Sequence, residues 1–95
     1  MDNAPQREMP KYQSHKQVWA LKIADIVVFD EGDEITDSSY AVITPAEEGY
    51  APFRVSAEYL RKHYPKRGGY YVRYQDGYES WSPADAFEGG YTRIE

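Results

Sequence analysis

The chain has 95 residues, no cysteine, a formal net charge of −5 and 16% aromatic residues, with tyrosine at ten positions. That length allows one domain around one modest core, and the lack of Cys excludes disulfides, thiolate metal sites and a Cys nucleophile. The longest apolar run, IVVF at 26–29, is far below the roughly 20 residues that span a bilayer, so no membrane partner is expected.

Residues 1–10 are polar, carry Pro5 and Pro10, and are expected to form a disordered tail before a single globular domain at 11–95. They lack a basic start followed by an apolar stretch, so no signal peptide is read and an intracellular protein is expected. In SHKQVWALKIADIVVF, Trp19, Leu21 and Ile23 alternate with Ala20 and Lys22, which is strand periodicity. The phase changes at Ala24-Asp25 before Ile26-Val27-Val28-Phe29. Either one long strand with a bulge near Asp25 or two short strands account for it.

Residues 30–39 form an acidic, turn-rich loop, and YAVIT at 40–44 reads as a strand stopped by Pro45. Phe53-Arg54-Val55 reads as a short extended piece. Ser56 is a good N-cap for SAEYLRKHY, with Glu58 in the positive first turn and Arg61, Lys62 and His63 in the negative last turn. A helix over 56–64 ends before Pro65, with Tyr59 and Leu60 facing inward.

YYVRYQDGYESW at 70–81 is the clearest hairpin, because Asp76-Gly77 is a strong turn signal. A two-residue Asp-Gly turn pairs Val72 with Trp81. A three-residue Gln75-Asp76-Gly77 loop with Gly77 left-handed pairs Arg73 with Glu79 and Tyr71 with Trp81. The second register is preferred, since opposite charges and aromatic rings then face each other, each pair contributing roughly 0.2–1 kcal/mol. One aromatic row is expected in the core and the other, with Arg73 and Glu79, on a wet face. In SPADAFEGG, Ser82 is read as N-cap, Pro83 as the first helical residue and Gly89 as the residue that ends the turn. A last strand is read at 91–94. The fold class is α+β: a small, curved antiparallel sheet of about four or five strands, open or barrel-like, with one short helix and a C-terminal helical turn.

YQSHKQVWALKI (12–23), EEGYAPF, and GYYVRYQDGYESWSPADAFEGGYTRI (69–94) together resemble a family of small proteins encoded by tailed phages and prophages. The acidic stretch 30–39 and residues 54–67 fall outside the match. The resemblance implies a phage origin, the host bacterial cytoplasm as the place of action and an accessory role. It carries no catalytic or binding residues over.

No catalytic constellation is visible in the residues themselves. His15 and His63 are the only histidines, no nucleophile elbow accompanies Ser14, Ser80 or Ser82, and the acids of 30–37 lack calcium-loop register. No cofactor and no enzyme activity are expected. The stretch 25–48 holds eight acids and no base, whereas 54–73 holds six bases and one acid. This is either a pair of solvated faces or a dipolar surface for a charged partner. An acidic chain is ill suited to general DNA binding. Lys66-Arg67-Gly68-Gly69 is the best small-anion candidate, since its glycine N–H groups suit a phosphate nest. The candidate partner- or ligand-binding residues are therefore Arg61, Lys62, Lys66, Arg67, Tyr71, Arg73, Glu79 and Trp81. The leading expectation is non-catalytic binding of a host protein, of anti-defence or host-takeover type, or of a second copy of the chain. The alternative is a sponge for a nucleotide-like signal.

Overall fold

A computed structural model describes residues 9–13, 17–30, 32 and 34–94. Ser14, His15, Glu31, Asp33 and most of the N-terminal tail thus lie outside the described residues. The elements in chain order are β1 (Lys11–Gln13), β2 (Gln17–Phe29), β3 (Tyr40–Pro45), β4 (Phe53–Ser56), α1 (Ala57–His63), β5 (Tyr70–Tyr74), β6 (Glu79–Ser82), α2 (Ala84–Gly90) and β7 (Thr92–Ile94). All pairings are antiparallel. The fold is α+β as expected, but with seven strands among the described residues. It does not close into a barrel: the path β4-β3-β2-β1-β7 is open, and β5 and β6 branch from β2.

The branch follows from the length of β2. Its first half pairs with β1 on one side and β5 on the other, from Val18↔Tyr74 to Lys22↔Tyr70. Its second half pairs with β3, from Ile23↔Pro45 to Phe29↔Tyr40. The hand-over occurs at Ile23, whose N–H donates to the Gly69 carbonyl and whose carbonyl accepts from the Gly68 N–H. The register shifts between Ile23 and Asp25. That is the bulge the phase change at Ala24-Asp25 implies, so a single bent strand serves two sheets. Pro45 ends β3 from inside the ladder.

Two cores result. On one side of the β2–β5 ladder, Ile23 and Tyr71 pack with Ala41, Ile43 and Val55 of β3–β4 and with Tyr59 and Leu60 of α1; Leu21, opposite Tyr71, is also buried. On the other side, Val18, Ala20, Tyr70 and Val72 pack under Phe87 of α2. Phe87 is 1% exposed, and its ring meets Tyr70 at 4.3 Å, Tyr91 at 4.6 Å and Tyr12 at 4.8 Å. A short chain with few large aliphatics fills this second core with stacked and edge-on aromatic rings.

The helices follow local chemistry, with one correction. Ser56 caps α1, its Oγ accepting from the Tyr59 N–H at 3.2 Å. The N-cap of α2 is Pro83 and not Ser82. Ser82 is still paired with Tyr70 in the ladder, and its hydroxyl donates to the Pro83 carbonyl. The helix also runs through Gly89 to Gly90, because the Tyr91 N–H bonds to the Phe87 carbonyl while the two rings stack.

Candidate functional site

The β5–β6 hairpin adopts the three-residue loop. Arg73 faces Glu79 and Tyr71 faces Trp81, Gly77 has φ +93°, and the Tyr74 N–H donates to the Tyr78 carbonyl at 2.8 Å. Only Gly adopts this φ without strain, which is why the Asp-Gly pair sets the register.

The expectation of one wet aromatic row is overturned. Tyr70 and Tyr71 belong to opposite faces, yet are 7% and 5% exposed. The reason is coverage from both sides: α1 and β3–β4 close one face, and α2 folds back under the other. Tyr71, offered as a surface residue, is a core residue. Its hydroxyl donates to the Glu79 carboxylate, and burial first, then that carboxylate, pushes its pKa well above the ordinary phenol range. Trp81 is half-buried and lies flat on Gly69.

The division between inside and outside runs across the strands instead. Lys11 on β1, Trp19 on β2, Arg73 on β5 and Glu79 on β6 form one row of direct cross-strand neighbours. One step inward on the same face lie the buried Leu21 and Tyr71 and the half-buried Trp81. In the outer row, Arg73 is exposed and Trp19 half-buried. The Lys11 ammonium lies 5.1 Å and the Arg73 guanidinium 5.7 Å from the Trp19 ring centre. Both are cation–π distances. Beside the row, Leu21, Ala51, Phe53, Tyr71 and Arg73, with Met9, line a groove of about 400 Å³.

The other predicted residues stand apart from Arg73. Arg61 pairs with Asp37 at 2.8 Å and Arg67 with Asp25 at 3.8 Å. Two ion pairs thus link the basic stretch to the acidic one. Lys62 lies 5.0 Å from the Tyr78 ring centre. Lys66 is exposed. The phosphate nest is not formed, because the Gly68 N–H donates to the Ile23 carbonyl and the Gly69 N–H to that of Lys66.

A second concavity, about 220 Å³, lies between α1 and the hairpin turn. There His63 Nε2 sits 3.4 Å from the Tyr78 hydroxyl and its ring 5.0 Å from that of Tyr59. Burial, then the Lys62 charge, lowers the His63 pKa. The neighbouring Ser56 hydroxyl is engaged as the helix cap. Among the described residues no group of three or more His, Asp or Glu side chains is placed to hold a metal, and no helix is long and apolar enough to cross a membrane. A third surface is the far end of β2, where Val27, Val28 and Phe29 are 43–47% exposed.

Lys11 and the groove residues Ala51 and Phe53 escaped the sequence reading. A three-residue strand shows no periodicity, and nothing local to KYQ announces its pairing with β2 and β7. Trp19 was readable as a strand residue, but its place at the boundary needs the register of three strands.

No protein-family model and no curated protein sequence matches the chain. Among solved structures it is similar to the monomeric form of the phage L decoration protein, determined in solution by NMR, with a TM-score of 0.62 and 26% identity. The likeness covers 96% of this chain and 63% of that one, so this chain spans less than two thirds of the length of the protein it resembles. The similarity to a phage protein agrees with the phage origin that the sequence motifs imply.

Proposed function

We propose that this chain is a non-catalytic phage decoration protein, which binds the outer surface of an assembled capsid inside the infected bacterium. The observation that supports this reading is the likeness to the phage L decoration protein over 96% of the chain. A structural accessory role of this kind fits a small domain whose buried tyrosines are engaged in packing its two cores. The likeness lends nothing to a host-protein target, an anti-defence role or a nucleotide sponge, and the occupied glycine N–H groups remove the best phosphate cradle.

Co-sedimentation with purified capsids of the encoding phage tests the reading. Saturable binding to assembled shells, absent with unassembled subunits, is the expected result. A chain that stays in the supernatant across a broad range of concentration sinks it.

Self-association is the second reading. It is favoured by the exposed Val27, Val28 and Phe29 at the end of β2. Light scattering after size exclusion distinguishes a monomer from an oligomer, and Phe29→Asp should dissociate the oligomer.

A further inference from the structure

The groove beside the Lys11–Trp19–Arg73 row has a definite chemical preference. Four cations elsewhere are matched: Lys22 with Glu88, Arg61 with Asp37, Arg67 with Asp25 and Arg93 with Glu47. Lys11 and Arg73 form no ion pair with a described residue. Glu79, the carboxylate next in the row, is turned to the Tyr71 hydroxyl. Instead the two cations bracket one indole, which holds their long side chains in place before any partner arrives. Pre-ordering of this kind lowers the entropy cost of binding. The adjoining floor of Leu21, Phe53 and Tyr71 is apolar, and the volume of about 400 Å³ is within the range of roughly 300–1,000 Å³ typical of binding clefts. A cationic rim of this sort on a chain of net charge −5 is a local reversal of sign, and it selects for an anionic partner.

We propose that this groove is the docking surface for a peptide segment that carries a carboxylate next to a large apolar side chain. The carboxylate lies over the Lys11–Trp19–Arg73 row and the apolar side chain enters the groove between Leu21 and Phe53. The proposal rests on the decoration reading, and the segment belongs to the capsid shell subunit. The apolar end of β2 is a poorer match for such a segment. There the Phe29 and Tyr40 rings stack at 4.9 Å and the Arg54 guanidinium already caps Tyr40 at 3.7 Å.

The test is capsid co-sedimentation over a series of salt concentrations, with the wild-type chain, the double variant Lys11→Glu/Arg73→Glu and Ala51→Glu. Ala51 is exposed, so its replacement leaves the core intact while placing a like charge at the groove. Lys62→Glu, on α1 and away from the groove, is the control. Wild-type binding should weaken as salt rises, because screening shortens to about 8 Å at physiological ionic strength. Both groove variants should bind about tenfold more weakly or worse, with Lys62→Glu unchanged. Ala51→Glu and Lys62→Glu should keep thermal midpoints close to wild type, while the double variant, which sets two carboxylates opposite each other at 73 and 79, should melt slightly lower. Capsid binding that neither groove variant alters overturns the groove assignment and leaves the decoration reading standing. No capsid binding by the wild-type chain overturns both.

Discussion

The indole of Trp81 rests directly on Gly69: a Cβ added at Gly69 would lie 2.5 Å from three atoms of the ring. The ring also packs against the core that holds Tyr71. Gly69→Ala should therefore destabilise the domain by about 1–3 kcal/mol through overpacking. The effect is steric, since the constraint is the ring and not a left-handed backbone. Chemical denaturation measures it, and a double-mutant cycle with Trp81→Ala should recover most of the loss. Additive losses would show that ring and glycine are not coupled.

The Tyr71 hydroxyl is a buried donor to a half-buried carboxylate. Tyr71→Phe keeps the ring in the core and removes the donor, leaving Glu79 without that bond. A loss of about 1.5–3 kcal/mol is expected, the range for a hydrogen bond to a charged group. An unchanged denaturation midpoint would mean that water replaces the phenol without cost.

Phe87 is the keystone of the second core. Phe87→Ala should cost about 3–5 kcal/mol and should release α2 first, because Phe87 is its only buried residue. Amide exchange should then rise in α2 and at Tyr70 and Val72 before it rises in β3 and β4. Uniform loss of protection would show that the two cores melt as one unit.

His63 makes the fold sensitive to mild acid. Burial, then Lys62, holds its folded pKa below the ordinary imidazole value of 6.5. Above that value both folded and unfolded chains carry a neutral ring, and His63 contributes nothing to pH dependence. As pH falls through it, the unfolded chain takes up a proton that the folded chain resists, so stability declines. His63→Asn should flatten this part of the stability profile between pH 7 and pH 5, as measured by thermal melts.

The tyrosines set the opposite limit. Burial, followed by neighbouring carboxylates or phenols, raises the pKa of Tyr59, Tyr70 and Tyr71 well above the ordinary value of 10.0. Below that value these groups do not oppose folding; above it the unfolded chain ionises first and stability falls. An ultraviolet titration should show these tyrosines ionising only as the protein unfolds in alkali. A single smooth transition near the ordinary phenol value for all ten would contradict their burial.

What could be read from the residues was local. Asp76-Gly77 dictated the loop, and the loop dictated that Arg73 faces Glu79. Ser56 was recognisable as a cap, and although it also closes the β4 ladder opposite Tyr40, its hydroxyl still accepts from the Tyr59 N–H. Ser82 looked equally good, but the pairing with Tyr70 carries the strand through it, Pro83 becomes the N-cap and the Ser82 hydroxyl turns to the Pro83 carbonyl, which is a nonlocal outcome. The same limit hid the groove. Strand alternation says which side of the ladder Tyr71 and Arg73 share, but not that a core ends between them. That boundary depends on how far β3–β4 and α1 extend over the face, and on a pairing between Lys11 and Trp19 that KYQ does not signal. Burial of both Tyr70 and Tyr71 likewise required α2 to fold back, which depends on Phe87 finding Tyr12 and Val18 far along the chain.

The bent β2 strand also governs the order in which the molecule is made. Its Ile26–Phe29 half meets β3 across the ten residues 30–39, so that ladder closes earlier and at lower entropic cost than the pairing with β5. Its Val18–Lys22 half waits for β5, and the face that carries Val18 and Ala20 waits longer still for α2. Long-range pairings of this kind slow folding. During synthesis, Val18 and Ala20 stay uncovered until the chain has emerged beyond Phe87, and β1 gains its outer neighbour only once Ile94 is out. The Lys11–Trp19–Arg73 row is thus assembled from segments made early and late, and a ribosome-bound fragment lacking β5 has no such row to offer.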